Sequence, residues 1–95
     1  MSSNEHLDRA QRYHNAIRGI LLQHWDPIGI SDVPEAQDEY DSYIGGIYSR
    51  LIQRIAEHDL LDHLWQIETD RMGLFGNRSK TQDVVQRLLA LNKEL

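Results

Sequence analysis

The stretch YDSYIGGIYSRLIQRI, residues 40–55, decides the fold that the sequence predicts. Its apolar side chains recur at spacings of three and four residues, which is the period of one helix face and not the alternation of a strand. They are Tyr40, Tyr43, Ile44, Ile47, Tyr48, Leu51, Ile52 and Ile55. The pattern is unbroken across Gly45 and Gly46, although each glycine inside a helix costs roughly 1 kcal/mol relative to alanine. We therefore predict one long helix, with Pro34 in its first turn.

Similar apolar patterns on either side predict three further helices. The first ends where Asp26 precedes a proline, because that position disfavours the α conformation. Asp59 and Ser79 are the predicted caps of the last two helices. The four predicted helices cover about residues 4–25, 34–57, 59–72 and 80–93. The sequence thus predicts an all-α fold, a compact four-helix domain over residues 1–95.

The composition is that of a globular protein, with 40% hydrophobic and 26% charged residues among 95. The absence of cysteine excludes disulfides, thiolate zinc sites and cysteine nucleophiles. The N-terminal segment MSSNEHLDRAQRYH is polar and lacks the apolar core of a signal peptide. No apolar run approaches the roughly 20 residues that span a bilayer. We expect a cytoplasmic protein that does not contact membranes.

Negative charge is concentrated in one part of the chain. Residues 19–49 contain six carboxylates and no lysine or arginine, so the net charge of this segment is −6. The net charge of the whole chain is −5, and the remaining residues therefore sum to +1. An acidic balance argues against nucleic-acid binding, which depends on clustered basic residues. Carboxylates at a helix start also complement the helix dipole, and this structural explanation covers part of the cluster.

The absence of lysine and arginine from residues 19–49 also favours a docking surface for a basic protein. An aromatic residue between carboxylates is typical of an interface, and Tyr40, between Glu39 and Asp41, is the expected surface anchor. The predicted partner-binding residues are Asp32, Glu35, Asp38, Glu39, Tyr40 and Asp41.

The segment WDPIG, residues 25–29, predicts a rigid connection between the first two helices. Proline fixes one backbone angle and glycine permits a left-handed turn. We interpret Trp25, Asp26, Pro27 and Gly29 as a structural motif, with Trp25 in the core.

No motif in the sequence specifies a reaction. The stretch DEYDSYIGG lacks the spacing of a calcium-binding EF-hand. In HDLLDH the two histidines, His58 and His63, lie five apart rather than the four that would place both on one helix face. There is no P-loop, dinucleotide fingerprint or nucleophile elbow. We predict no catalytic residue, no metal and no cofactor.

The combination of WDPIG, DEYD and a late Glu-x-x-x-Met-Gly resembles a family of small bacterial helical proteins of unknown function. The resemblance covers about residues 17–92. It rests on Trp25, Asp26, Pro27, Ile28, Gly29, Asp38, Glu39, Tyr40, Asp41, Tyr43, Glu68, Met72 and Gly73. In size and acidity such proteins are similar to the immunity proteins that neutralise bacterial toxins, which implies a toxin domain as the partner.

Two alternatives to the docking hypothesis remain open. One is a small enzyme or ligand-binding domain whose pocket is lined by the WDPIG and DEYD segments, with His63 or Glu68. The other is a structural subunit of a homo-oligomer, which predicts an exposed apolar patch on the fourth helix.

Overall fold

A computed structural model describes residues 2–30, 32–36 and 38–94, with side chains from residue 8 onward. In this part of the chain the secondary structure is helical, with no strand. The four α-helices are α1 Ser2–Ile20, α2 Asp41–Ile52, α3 Glu57–Gln66 and α4 Arg78–Glu94. The predicted all-α, four-helix fold is confirmed. Over the same residues, none of the helices has the length and apolarity that crossing a bilayer requires.

The helices surround one hydrophobic core, and α4 contacts each of the other three. The buried apolar residues are Tyr13, Ile17, Leu21, Trp25, Tyr40, Ile44, Ile47, Leu51, Leu60, Leu61, Leu64, Ile67, Val84, Val85, Leu88 and Leu91. Asn92 of α4 joins three helices, because its Oδ1 accepts a hydrogen bond from the Tyr13 hydroxyl at 2.9 Å and its amide donates to the Leu51 carbonyl at 3.0 Å. That carbonyl lies in the last turn of α2, where it also accepts the Arg54 N–H at 3.1 Å.

Helix α2 is shorter than the predicted 34–57. Pro34 begins only a short 3-10 helix, Pro34–Ala36, and the α-helix begins at Asp41. It ends at Ile52 because Arg54 takes a left-handed backbone conformation, with φ 56°, that an α-helix cannot continue. Ile52 belongs to the predicted apolar series, yet it is 53% exposed.

Helices α1 and α3 each run directly into one π-helical turn, in which an N–H bonds to the carbonyl five residues earlier. The first π turn is Leu21–Trp25, and the Asp26 N–H closes it on the Leu21 carbonyl at 2.8 Å. The second π turn is Ile67–Arg71, which the Met72 N–H closes on the Ile67 carbonyl at 3.0 Å. With these turns included, both helical segments end close to the predicted residues 25 and 72.

The predicted caps of the last two helices are wrong. Asp59 lies inside the first turn of α3, and the residue that precedes this helix is Ala56. Ser79 lies inside α4, whose first helical residue is Arg78. Asn77 caps α4 instead, because its Oδ1 accepts a hydrogen bond from the Lys80 N–H at 3.1 Å. A capping side chain must precede the helix, and both predictions placed the helix start too late.

Candidate functional site

The two π turns bring Trp25 and Glu68 into contact. Trp25 is 1% exposed, and its indole N–H donates a hydrogen bond to Oε1 of Glu68, which is 3% exposed. The same oxygen accepts a hydrogen bond from Oγ1 of Thr81, in the first turns of α4, at 2.6 Å. A carboxylate is therefore buried where α1, α3 and α4 meet, and its hydrogen-bond donors are neutral.

A cleft of about 320 Å³ opens beside this carboxylate, at the lower end of the usual range for small-molecule sites. We call it the Glu68 cleft. It is lined by Trp25, Pro27, Glu68, Leu74, Phe75, Gly76, Asn77, Lys80 and Thr81. Phe75 is fully exposed at this site. Lys80 and Asn77 are also exposed, so the cleft combines an apolar wall, a buried carboxylate and a polar rim.

Gly76 shapes the loop that closes one side of the cleft. Its φ is +78°, and a Cβ atom there would lie 2.8 Å from Cζ3 of Trp65 and 3.2 Å from Oε2 of Glu68. The Trp65 ring also contacts the Arg78 guanidinium, which lies 5.1 Å from the ring centroid. Only glycine combines this backbone conformation with so close an approach.

Gly76→Ala is expected to lower the free energy of unfolding by more than about 1 kcal/mol, because the alanine would be strained and would contact Trp65. Gly45→Ala is the matched control. Gly45 is exposed in α2, and a Cβ there would meet nothing within 4 Å. The free energy of unfolding of the control should rise by about 0.5–1 kcal/mol. Urea denaturation measures both, and equal effects of the two substitutions would contradict the described loop.

The WDPIG segment is fixed by a contact between Asp26 and Tyr40. Oδ1 of Asp26 accepts hydrogen bonds from the Tyr40 hydroxyl at 2.9 Å and from the Ile30 N–H at 2.7 Å. The Tyr40 hydroxyl in turn accepts the Ile28 N–H at 3.2 Å. Burial raises the pKa of Tyr40 well above its usual value, and the Asp26 carboxylate raises it further. Asp26 has φ 31° and Gly29 has φ 68°, so both residues take the left-handed backbone that this turn requires.

The expectation that Tyr40 is a surface anchor is wrong. Its side chain is 0% exposed, and its ring packs against Trp25 with centroids 5.5 Å apart. The flanking carboxylates suggested exposure, but Tyr40 immediately precedes α2 and points into the core, where its hydroxyl bonds to Asp26.

The other predicted partner-binding residues divide into two groups. Asp41 is partly buried and lies beside Arg18, with Oδ1 3.2 Å from Nε but misaligned for a hydrogen bond. Both side chains are more than a third exposed, so this pair contributes about 0–1 kcal/mol. The remaining four are exposed, and none forms an ion pair with a residue in the described ranges. They are Asp32, Glu35, Asp38 and Glu39.

The pocket expected for a small enzyme or ligand-binding domain, lined by the WDPIG and DEYD segments, is only partly as predicted. Trp25, Pro27 and Glu68 line the Glu68 cleft, but no residue of the DEYD segment does. His63 lies elsewhere, beside Gly46 and Arg50. Burial lowers the pKa of His63, and Arg50 and Arg71 lower it further.

Several cleft residues were not predicted from the sequence. Phe75, Asn77, Lys80 and Thr81 belong to the loop and the first turns of α4, which carry no recognisable motif. One available signal was Glu68, a carboxylate within the apolar face of the third predicted helix. The other was Phe75, placed between two glycines.

Over the described residues, no three histidine, aspartate or glutamate side chains come together as a metal site requires. His58 instead contacts the adjacent Asp59, with Nε2 3.2 Å from Oδ1. The apolar patch that a homo-oligomer would need on α4 is also not found there. The large apolar side chains exposed in the described ranges are Ile28, Val33, Ile52 and Phe75.

Comparisons with protein-family models, with curated proteins and with solved structures find no match to this chain. The function is therefore inferred from the residues of this chain and their geometry.

Proposed function

We propose that this protein is an interaction domain that docks a basic protein partner through an acidic surface. We define the acidic surface as Asp32, Glu35, Asp38 and Glu39. The supporting observation is that these four carboxylates are exposed within a segment of eight residues and are not neutralised by any described lysine or arginine. A single-sign surface of this kind attracts a basic partner and accelerates association.

The acidic surface is anchored at both ends, which favours binding because little conformational entropy is lost. The hydrogen bond from the Tyr40 hydroxyl to Asp26 joins the chain before the surface to the chain after it. Val33 and Ile28, which are 41% and 43% exposed, supply apolar contacts within and beside the carboxylates. Asp26 and Asp41 do not belong to the surface, because the first binds Tyr40 and the second pairs with Arg18.

The specific form of this proposal is a toxin-neutralising immunity protein of the bacterial cytoplasm. It draws on the resemblance of the WDPIG and DEYD motifs to small bacterial proteins and on the analogy in size and acidity with immunity proteins. In this form the acidic surface covers a basic cleft of the toxin, and inhibition is steric and electrostatic.

The double substitution Asp38→Lys with Glu39→Lys is expected to weaken partner capture at least tenfold at low ionic strength, because attraction to a basic surface becomes repulsion. The immobilised protein is exposed to a lysate of the source organism, and the captured protein is quantified by mass spectrometry. Binding to the unsubstituted protein should also fall in about 1 M salt, where the screening length is about 3 Å.

The matched control is Glu57→Lys with Asp70→Lys. It makes the same change in net charge at two exposed carboxylates outside the acidic surface, neither of which forms an ion pair with a described residue. The control should retain capture of the same protein. Equal loss in both variants would reduce the effect to net charge, and retention by the Asp38→Lys, Glu39→Lys variant would contradict the proposed surface.

A further inference from the structure

Glu68 is a buried carboxylate without a cationic partner. It is 3% exposed, and no lysine, arginine or histidine of the described residues forms an ion pair with it. A carboxylate removed from water loses solvation that neutral hydrogen bonds replace only in part. Trp25 and Thr81 supply two such bonds, and both go to Oε1. The negative charge therefore remains uncompensated within the described residues.

The second oxygen, Oε2, lies on the side of Gly76, which also lines the Glu68 cleft. It receives no hydrogen bond from the described residues, and it lies 3.2 Å from the position that a Cβ of Gly76 would occupy. Gly76 and Glu68 both line the cleft. The Gly76 backbone packs closely on this side of Oε2, since a Cβ atom there would lie 2.8 Å from the Trp65 ring, and the cleft of about 320 Å³ supplies the room for a ligand. A ligand atom that entered the cleft beside Oε2 would thus meet a carboxylate oxygen that accepts no hydrogen bond from the described residues.

The rest of the cleft suits an apolar stem. Trp25, Pro27, Leu74 and Phe75 contribute its apolar lining. Phe75 is 101% exposed, so contact with a ligand would remove a large aromatic surface from water. Aromatic rings also attract cations through their faces, and the exposed ring of Phe75 lines the cleft that contains Glu68.

We propose that the Glu68 cleft binds an organic cation, a primary ammonium or guanidinium group on an apolar stem. The charged group pairs with Oε2 of Glu68, and the stem lies against Trp25 and Phe75. This site is independent of the acidic surface, since none of the four carboxylates of that surface lines the cleft. Lys80 lies at the rim of the cleft, and its positive charge repels a cation. Removal of this charge should therefore strengthen cation binding, which is a second test of the proposal.

The test is an NMR titration that follows the Trp25 indole N–H, which lies against Glu68 and reports directly on the cleft. The probes are 2-phenylethylamine, 2-phenylethanol and 3-phenylpropanoate, which are similar in size and differ in charge. We expect saturable shifts with the amine and at least tenfold weaker binding of the alcohol and of the acid. Equal or tighter binding of either control probe would overturn the proposal.

Two substitutions test the roles of the charged groups. Glu68→Gln retains an acceptor for Trp25 and Thr81 but removes the charge, so amine binding should fall at least tenfold, whereas Asp70→Asn at an exposed site should leave it unchanged. Lys80→Ala leaves the buried bonds intact, and it should tighten amine binding about threefold or more. If Glu68→Gln fails to fold, the Lys80→Ala result decides, and unchanged or weaker amine binding in that variant would overturn the proposal.

A further probe distinguishes the sources of such a cation. N-acetyl-arginine-N-methylamide presents a guanidinium as a protein side chain does. Tighter binding of this probe than of the amine would assign the cleft to a basic side chain of a partner protein. Tighter binding of the amine would assign it to a free small molecule. Both results support a cation site, and failure of both probes to bind overturns it.

Discussion

Replacing Trp25 with alanine is expected to lower the free energy of unfolding by about 3–5 kcal/mol. The side chain is 1% exposed and packs against Tyr40 and Tyr43, with ring centroids 5.5 Å and 6.2 Å away. Its loss leaves a cavity, and it also removes a hydrogen-bond donor from Glu68, which stays buried. Urea denaturation followed by circular dichroism measures the change.

Two further variants separate the contributions of packing and hydrogen bonding at this position. Trp25→Phe keeps an aromatic ring and removes the N–H, so it should lower the free energy of unfolding by less than Trp25→Ala does. Trp65→Ala is the matched control, because Trp65 is only half-buried and stacks on the exposed Arg78. If Trp25→Ala lowered the free energy of unfolding by less than about 1 kcal/mol, Trp25 would not be a central residue of the core.

Replacing Tyr40 with phenylalanine is expected to lower the free energy of unfolding by about 1–3 kcal/mol. The substitution keeps the ring in the core. It removes the donor to Oδ1 of Asp26 and the acceptor of the Ile28 N–H. Tyr43→Phe is the matched control, because Tyr43 also packs against Trp25 and its hydroxyl bonds to no described residue. The control should change stability by less than about 0.5 kcal/mol.

Alkaline titration provides an independent measure of the same contact. The raised pKa of Tyr40 means that the folded protein keeps a proton that the unfolded chain releases near pH 10.0. Stability should therefore be unaffected by this group below that pH and should fall above it, by up to about 1.4 kcal/mol per pH unit. Tyr40→Phe should lose this part of the pH dependence. An unchanged alkaline slope would contradict the burial of the Tyr40 hydroxyl.

The number and order of the helices could be predicted from the sequence because each helix buries a regular apolar face. The start of α2 could not. The segment 34–40 has a favourable first-turn proline and helix-start carboxylates, but a 3-10 helix and turns occupy it instead. The hydrogen bond of Tyr40 to Asp26 requires this shape, and it joins residues 14 apart, beyond the reach of a local pattern.

The exposed carboxylates could be predicted individually, whereas the Glu68 cleft could not. Glu68 shares a helical face with Leu60 and Leu64, which indicates burial, but its partners come from two other elements of the fold. Thr81 and Trp25 are 56 residues apart along the chain. Their convergence on one oxygen depends on tertiary packing that no spacing in the sequence encodes.

The π turns keep side chains that repeat every four residues on one face of the helix, whereas in a regular α-helix such side chains would rotate gradually around the axis. A residue in an α-helix advances about 100°, so a strict repeat of four residues rotates about 40° at every step. Tyr13, Ile17, Leu21 and Trp25 follow such a repeat and are all buried. Leu60, Leu64 and Glu68 do the same. The wider turn takes up the surplus rotation at the end of each series, so that the last member, an indole or a carboxylate, stays in line with the aliphatic residues before it.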